Sequence, residues 1–200
     1  MWWVQRPSAW DNGHVSTSPR ADTEDETQVG PRHIEVVGGR PADWRQLSDE
    51  QWVQRLADLG KIADHAGASW LTVRPFGPDP TDPSPLPPAR TTATGGCVVV
   101  ADPETDGRAR LTRVIGALAA AGEEVSDSSI MHALNAPAET DPDLVVVLGN
   151  GHELPPSMVW ELAYCELVFL DVSWADLHAA QLDEALATFL HRHRRFGGLD

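Results

Sequence analysis

Short apolar runs alternate with longer amphipathic stretches along this chain. The pattern predicts four buried strands, which are HIEVV from His33, WLTVRPF from Trp70, CVVVAD from Cys97 and DLVVVLG from Asp143. It predicts helices over residues 41–67, 108–122, 126–135, 155–168 and 179–195. Strands that alternate with helices are typical of a parallel sheet, so we predict an α/β fold with a mainly parallel sheet flanked by helices.

Two local signals support the helix assignments. Ser48 and Gln51 have the spacing of a capping box, and Trp52, Leu56 and Leu59 then recur on one helical face. Gly122 follows the apolar positions of the third helical stretch and is expected to end it.

The remaining segments divide the chain. Residues 1–32 show neither helical nor strand periodicity, and we expect a disordered tail whose Trp2, Trp3 and Trp10 dock on the body or on a partner. Residues 33–200 form the ordered domain. Within it, residues 77–96 contain six prolines and are expected to be a proline-rich linker.

Composition narrows the function. The net charge of −15 argues against nucleic acid or an anionic membrane as a partner of the body, because phosphate groups require cations. Two distant cysteines give neither a disulfide framework nor a zinc motif. We find no apolar leader in MWWVQRPSAW and no membrane-spanning run, so we expect a cytoplasmic protein.

The C-terminal half carries a long motif. The run PDLVVVLGNGHELPPSMVWELAYCELVFLDVSWADL extends from Pro142 to Leu177, and RRFGG follows near the end of the chain. In order and spacing this run resembles the cis-prenyltransferase family, whose typical member is undecaprenyl diphosphate synthase. Trp160, Tyr164 and Glu166 are among the positions in register, and no gap is needed.

The N-terminal half resembles the same family more weakly. PRHIEVVGGRPADW keeps the family's Pro-Arg-His and Trp44, and WLTVRPF keeps Leu71, Thr72 and Phe76. Between Phe76 and Cys97 the family has a helical hairpin and a further strand that wall a tunnel for the growing prenyl chain. This chain has only the linker, so the resemblance implies a truncated cis-prenyltransferase-like fold.

The residues that hold diphosphate in the family are replaced here. The resemblance places the magnesium-binding Asp at Gly39 and a diphosphate-binding Arg at Asp43. Two further arginines and a serine that bind isopentenyl diphosphate fall on Val147, Glu153 and Pro155. Because each charge-assisted contact to phosphate is worth roughly 1.5–3 kcal/mol, these losses predict an inactive site.

Two family features survive. Glu166 aligns with a magnesium-binding glutamate of the family, although a structural or interface role is the other interpretation. Arg195, Gly197 and Gly198 match a C-terminal segment that, in non-catalytic subunits of the Nogo-B receptor type, completes a partner's diphosphate site. The alternative is that Arg195 only caps the last helix.

We therefore expect a non-catalytic subunit, a pseudoenzyme without activity or cofactor of its own. It would pair with a catalytic cis-prenyltransferase, or with itself, and Mg²⁺ would lie in the partner's active site. Any membrane contact would be peripheral and through the partner. The alternative is a divergent enzyme that acts on a short prenyl diphosphate, with Arg40, Arg74, Arg108 and Glu166 in its cleft. A third interpretation is an interaction protein without any prenyl substrate.

The linker also predicts the shape of the fold. We expect a sheet of about four strands, proline-rich coil over one side, and no apolar cavity long enough for a polyprenyl chain.

Overall fold

A single sheet of six strands organises the chain. The computed structural model describes residues 30–149, 151–163 and 165–196, and for residues 193–196 it describes the backbone alone. The strands are β1 (His33–Val37), β2 (Trp70–Arg74), β3 (Arg90–Thr94), β4 (Cys97–Ala101), β5 (Leu144–Leu148) and β6 (Glu166–Leu170). The helices are α1 (Pro41–Gln46), α2 (Asp49–His65), α3 (Gly107–Ala121), α4 (Asp127–Asn135) and α5 (Ala179–Phe196).

The strand order is β3-β4-β2-β1-β5-β6. Every pairing is parallel except that of β3 with β4, which is an antiparallel hairpin. The carboxyl ends of five strands therefore lie along one edge, where ligand sites of parallel sheets usually form. The predicted α/β class is confirmed.

One face of the sheet forms the main core. Ile34 and Val36 of β1 lie on this face, which α2 and α5 cover through buried residues such as Leu56 and Leu186. Trp44, Trp52 and Trp174 pack against one another in this core, with ring centroids 4.9 to 5.9 Å apart. Alternation along the strands sends the next set of side chains to the opposite face.

The opposite face is more polar. It carries His33, Glu35 and Val37 of β1, all buried, beside Thr72 and Arg74 of β2. Val37, Val145 and Val147 make a small apolar cluster there with Met158. Helices α3 and α4 have their own apolar contact, formed by Leu118, Ile130 and Leu134.

Three sequence predictions about elements are wrong in detail. The sheet has six strands instead of about four. Strand β3 lies within the segment predicted to be a linker, and β6 begins within the segment 155–168 that was predicted to be a helix. Residues 155–160 are irregular, and a single 3-10 turn follows at Glu161–Ala163 before β6. The helix predicted over 41–67 is two helices, divided at Leu47 and Ser48.

The capping predictions are confirmed. Ser48 Oγ accepts a hydrogen bond from the amide of Gln51, and Gln51 Oε1 accepts one from the amide of Ser48. Gly122 ends α3 with a left-handed backbone, φ 73°. No helix among the described residues is both long and apolar enough to cross a bilayer.

Some predictions fall on residues that the structure does not describe. Trp2, Trp3 and Trp10 belong to this group, as do Tyr164, Gly197 and Gly198. Of the predicted tail over residues 1–32, only residues 30–32 are described, and they lead directly into β1.

Candidate functional site

A cleft opens at the carboxyl edge of the sheet, where β1, β5 and β6 end. Its cavity volume is about 390 Å³. The lining residues are Gly39, Arg40, Asp43, Phe76, Val147, Leu148, Gly149, Gly151, His152, Glu153, Phe169, Val172, Ser173 and Trp174. The volume lies within the range of small-molecule sites.

Gly39 and Trp174 meet at this cleft. Gly39 has φ 77°, a backbone conformation that L side chains rarely adopt. A Cβ at this position would lie 2.8 Å from Cγ of Trp174 and 3.0 Å from its Cδ1. Trp174 is itself buried and stacked on Trp44, so it has little room to move away. Both the backbone and the ring therefore select glycine at position 39.

The β1 side of the cleft carries charges of both signs. Asp43 lies at the third position of α1, and its Oδ2 accepts a hydrogen bond of 2.8 Å from the amide of Arg40. A carboxylate suits a helix start, because it binds free amides and faces the positive end of the helix dipole. The sequence thus places Asp43 here for a local structural reason, whatever else it does.

The β5 side of the cleft is apolar and acidic. Val147 is buried on the sheet face opposite the main core, and the exposed Glu153 follows after a glycine-containing turn. His152 has an unusual backbone for a non-glycine residue, φ 55°, and its ring lies 5.1 Å from that of Phe169. Backbone strain of this kind is typical of residues that the surrounding structure holds in place.

The cleft does not fit the magnesium ion that the family resemblance implies. Gly39 has no carboxylate where the metal-binding Asp is expected, and Asp43 is engaged by the Arg40 amide. No group of three His, Cys, Asp or Glu side chains in the described ranges could hold a metal ion. Magnesium prefers several oxygen ligands in octahedral geometry, which these residues do not supply.

A buried ionic network lies on the more polar face of the sheet, opposite the main core. The Arg74 guanidinium binds Glu35 in the middle of β1 and Asp102 at the end of β4, the latter at 2.5 Å. Arg110 of α3 pairs with Glu161 of the 3-10 turn. Four of these side chains are at most 4% exposed, and only Asp102 reaches solvent at 32%.

The two ion pairs act on each other. Burial alone would lower the pKa of Arg74, but the carboxylates of Glu35 and Asp102 outweigh it and raise the pKa above its ordinary value. Burial, and then the charge of Arg74, lower the pKa of Arg110 to about 10. Both guanidinium groups stay charged at neutral pH. The second face of the sheet and the adjoining part of α3 thus carry buried ion pairs.

Glu166 does not lie in the cleft. It is the first residue of β6, so it stands at the amino edge of the sheet, whereas the cleft lies at the carboxyl edge. Arg192 donates to Glu166 Oε1 at 3.2 Å and to the Leu167 carbonyl at 2.9 Å. Within one chain its environment is that of a surface ion pair, and the metal role stays a prediction.

The C-terminal prediction is described only in part. Arg195 belongs to the last turn of α5, but its side chain is not described, and Gly197 and Gly198 lie beyond the described residues. The proposed contact of this segment with a partner's diphosphate therefore stays a prediction. So does the alternative in which Arg195 only caps the helix.

The structure does not assemble the cleft proposed for a divergent enzyme. Arg40 lines the cleft, but Arg74 is buried in the ionic network. Arg108 lies at the start of α3, beside a separate cavity of about 590 Å³ that Pro155 also lines. With Glu166 at the opposite edge, these four residues share no site.

Comparison with known proteins identifies the family. Residues 89–197 match the prenyltransferase family described as "Putative undecaprenyl diphosphate synthase", which is more than half of the chain. The chain belongs to this family.

Individual family members are similar over shorter segments. The Isoprenyl transferase 2 of Bradyrhizobium diazoefficiens is 44% identical over 66 residues, which cover 33% of this chain and 26% of that protein. The isoprenyl transferase of Chromobacterium violaceum is 31% identical over 110 residues, 54% of this chain and 44% of that protein. The chain thus spans less than half the length of these curated relatives.

Solved structures confirm the fold. Lavandulyl diphosphate synthase from Lavandula x intermedia, in complex with dimethylallyl diphosphate, superposes with a TM-score of 0.57 and 16% identity over 82% of this chain and 96% of that one. A probable undecaprenyl diphosphate synthase from Campylobacter jejuni gives 0.55 and 13% over 79% and 94%. At such identities the likeness establishes the cis-prenyltransferase fold alone.

The cleft brings together four positions that sequence reasoning had aligned with the family's ligand-binding residues. Gly39, Asp43, Val147 and Glu153 line one cavity, although they come from both halves of the chain. Pro155, the fifth, lies at the neighbouring cavity. Four of the five aligned positions thus lie together in the structure.

Sequence reasoning missed the ionic network. Glu35 and Arg74 are charged residues inside apolar strands, and this signal was visible in HIEVV and WLTVR. Arg110 and Glu161 had no comparable signal, since each lies in a stretch that fits an ordinary exposed helix face. Their burial depends on the way α3 and the 3-10 turn meet.

Proposed function

We propose that this chain is a non-catalytic cis-prenyltransferase subunit that pairs with a catalytically complete member of the family. One observation supports the proposal most directly. In the cleft at the carboxyl edge, the positions aligned with the family's metal-binding and diphosphate-binding residues are occupied by Gly39, Asp43, Val147 and Glu153.

The physical reason is electrostatic. Prenyl transfer requires that two diphosphates be held, and each carries several negative charges. Arg40 is the sole Lys or Arg among the described lining residues, and Asp43 and Glu153 oppose it. Without cationic neutralisation, bringing two diphosphates into one cleft is strongly unfavourable.

The ionic network supports the same conclusion. A growing prenyl chain needs an apolar channel, and Glu35, Arg74 and Arg110 fill the space between the sheet and α3. Removing either partner of such a buried pair is costly, so this space does not open readily. The retained fold then serves a partner.

The C-terminal segment supplies the groups that would bind the partner's substrate. In the proposed complex Arg195, with Gly197 and Gly198, reaches the partner's diphosphate, and Mg²⁺ binds in the partner's site. A guanidinium beside glycine amides is well suited to hold a diphosphate. Pairing with a second copy of this chain would join two acidic clefts and gives no active site.

A paired assay tests the proposal. The purified chain, given farnesyl diphosphate, isopentenyl diphosphate and Mg²⁺, should form no product. Coexpressed with a catalytic cis-prenyltransferase from the same cell, it should copurify with that enzyme and raise its turnover. Arg195→Ala should abolish the gain without preventing copurification, while the matched control Arg192→Ala should keep it. Clear turnover by the chain alone would contradict the proposal.

A divergent enzyme for a short prenyl diphosphate is the second candidate. The observation in its favour is the cleft itself, whose volume of about 390 Å³ suits a short substrate and which contains Arg40. Calorimetry with dimethylallyl diphosphate separates the two. Micromolar binding that Arg40→Ala removes would support the enzyme, and the lack of such binding would support the accessory subunit.

A further inference from the structure

We propose that the proline segment, residues 82–88, is a docking site for a partner protein whose groove is lined by aromatic side chains and binds a polyproline II helix. The segment has the sequence DPSPLPP and lies in the loop between β2 and β3. None of these described residues lines the cleft at the carboxyl edge. The segment would therefore present this surface whether or not the chain pairs with a catalytic subunit.

The sequence of the proline segment restricts its backbone. Every residue from position 82 to position 88 is either a proline or the residue before one. The ring fixes φ of each proline at about −65°, and the residue before a proline is driven from the helical region towards extended conformations. Residues 82–89 accordingly contain neither helix nor strand. These restrictions favour a polyproline II helix, which repeats about every three residues.

The body of the protein holds one side of the proline segment. Leu86 packs against the main core. Arg45 donates to the carbonyl of Ser84 at 3.0 Å and forms an ion pair with Asp82. A partner would thus meet a segment that is already ordered, and little conformational entropy would be lost on binding.

The opposite side of the proline segment is open to a partner. Residues three apart share an edge of a polyproline II helix, and Leu86 marks the edge that faces the core. The other two edges carry two dipeptides that end in proline, Ser84-Pro85 and Pro87-Pro88. Three of these four residues are exposed, and Pro87 is half-buried. This is the Pro-x-x-Pro spacing that docks in aromatic-lined grooves.

Arg90 gives the docking a direction, because it follows Pro88 by two residues. Its guanidinium pairs with Asp49 at 2.5 Å, and the Asp49 side chain is 87% exposed. Such a surface pair contributes less than about 1 kcal/mol, so a carboxylate of the partner can replace Asp49. The partner's groove would therefore carry an acidic side chain at one end, as in SH3 domains that bind Pro-x-x-Pro-x-Arg ligands.

A purified SH3 domain that recognises Pro-x-x-Pro-x-Arg ligands is the probe. Calorimetry with the full chain should show saturable binding, and the same domain with its groove tryptophan replaced by alanine should not bind. Pro85→Ala and Pro88→Ala should each weaken the complex at least about tenfold. Arg90→Gln should weaken it about threefold, as expected for one partly solvated charge contact.

Pro83→Ala is the matched control. Pro83 is an exposed proline of the same segment, but it shares the edge of Leu86, which does not face the groove. Its substitution loosens the backbone as the other proline variants do, so it should change the affinity by less than about twofold if the groove contacts decide binding. Circular dichroism of each variant ensures that a loss of binding is not a loss of fold.

Three outcomes would overturn the proposal. The first is that the SH3 domain shows no saturable binding to the full chain. The second is that binding survives unchanged in Pro85→Ala and Pro88→Ala, which would place the contact elsewhere on the surface. The third is that Pro83→Ala weakens binding as much as those two variants do, because the two edges assigned to the groove would then have no special role.

Discussion

The Cα of Gly39 lies against the indole of Trp174, so that a Cβ on Gly39 would approach Cγ of the ring to 2.8 Å. Two features therefore disfavour any side chain at the position aligned with the family's metal-binding Asp. They are the left-handed backbone of Gly39 and the contact with the Trp174 ring. A single substitution could not restore the carboxylate without moving Trp174. The packing around position 39 therefore requires a glycine in this chain.

The first prediction is that Gly39→Ala destabilises the protein by about 2–5 kcal/mol, because a strained φ costs about 1–2 kcal/mol and overpacking a further 1–3 kcal/mol. Gly67→Ala is the matched control. Gly67 has φ 84° and nothing within 4 Å of its Cβ position, so it should show the backbone cost alone. Urea unfolding followed by tryptophan fluorescence measures both. Equal losses at the two glycines would mean that the Trp174 contact yields easily.

The second prediction concerns the buried pair of Glu35 and Arg74. Glu35→Gln removes a charge that Arg74 needs in a fully buried site, and we expect a loss of about 3–5 kcal/mol in the free energy of unfolding. The double variant Glu35→Met with Arg74→Met should be much closer to the wild type, since it leaves no unpaired charge in the fully buried site and Asp102, which loses Arg74, is 32% exposed to solvent.

The exposed pair of Arg45 and Asp82 gives the control for that experiment. Its side chains are 20% and 42% exposed, and Asp82→Asn should cost less than about 1 kcal/mol. Chemical denaturation of all four proteins decides the point. If Glu35→Gln proved as mild as Asp82→Asn, the buried pair would contribute no more to stability than a surface pair.

The sequence predicted the four apolar parallel strands because each is a buried run whose side chains face a layer of protein on both sides. It did not predict β3, because RTTAT is an edge strand with mostly exposed side chains and no apolar pattern. It did not predict β6, because ELVFL continues the apolar run of WELAYC, which has helical spacing. Periodicity alone cannot place the boundary inside such a run.

The cleft was predictable in part. The aligned positions identified Gly39, Asp43, Val147 and Glu153, but Trp174 and His152 entered the site only through tertiary contacts and turn geometry. Local spacing does not record such contacts. For the same reason the pairing of Arg110 with Glu161 was not predicted, since the two residues lie in segments separated by about fifty residues of sequence.

The third prediction is a pH dependence through His33. Its Nδ1 lies 2.8 Å from the Thr140 carbonyl, which can only accept, so Nδ1 carries the proton and Nε2 accepts from Thr72 Oγ1 at 3.0 Å. Burial lowers the pKa of His33 below its ordinary value of 6.5. The unfolded state therefore binds a proton more readily than the folded state, and stability should fall as the pH drops below about 6.5.

Thermal melting between pH 7.5 and pH 5.5 tests whether stability falls as the pH drops. This range covers about two pH units around the ordinary pKa of histidine. His33→Gln should be less stable at neutral pH, where it loses one of the two bonds, and its melting temperature should depend less steeply on pH than that of the wild type. Carboxylates contribute to both slopes, so the difference between the two proteins isolates the histidine. Parallel slopes would exclude His33 as the source.

The last prediction concerns Glu166 and magnesium. Glu166 is held by Arg192, whose side chain is 45% exposed, and such partly solvated pairs contribute less than about 1 kcal/mol. Glu166→Gln should therefore change the free energy of unfolding little, and millimolar MgCl2 should not shift the melting temperature of the isolated chain, because a ligand stabilises only the state that binds it. Asp183→Asn, on the exposed side of α5, controls for the loss of one surface charge. A magnesium-dependent rise in melting temperature that Glu166→Gln abolishes and Asp183→Asn keeps would show that this carboxylate has retained a metal, and would return the chain to the candidates for an active enzyme.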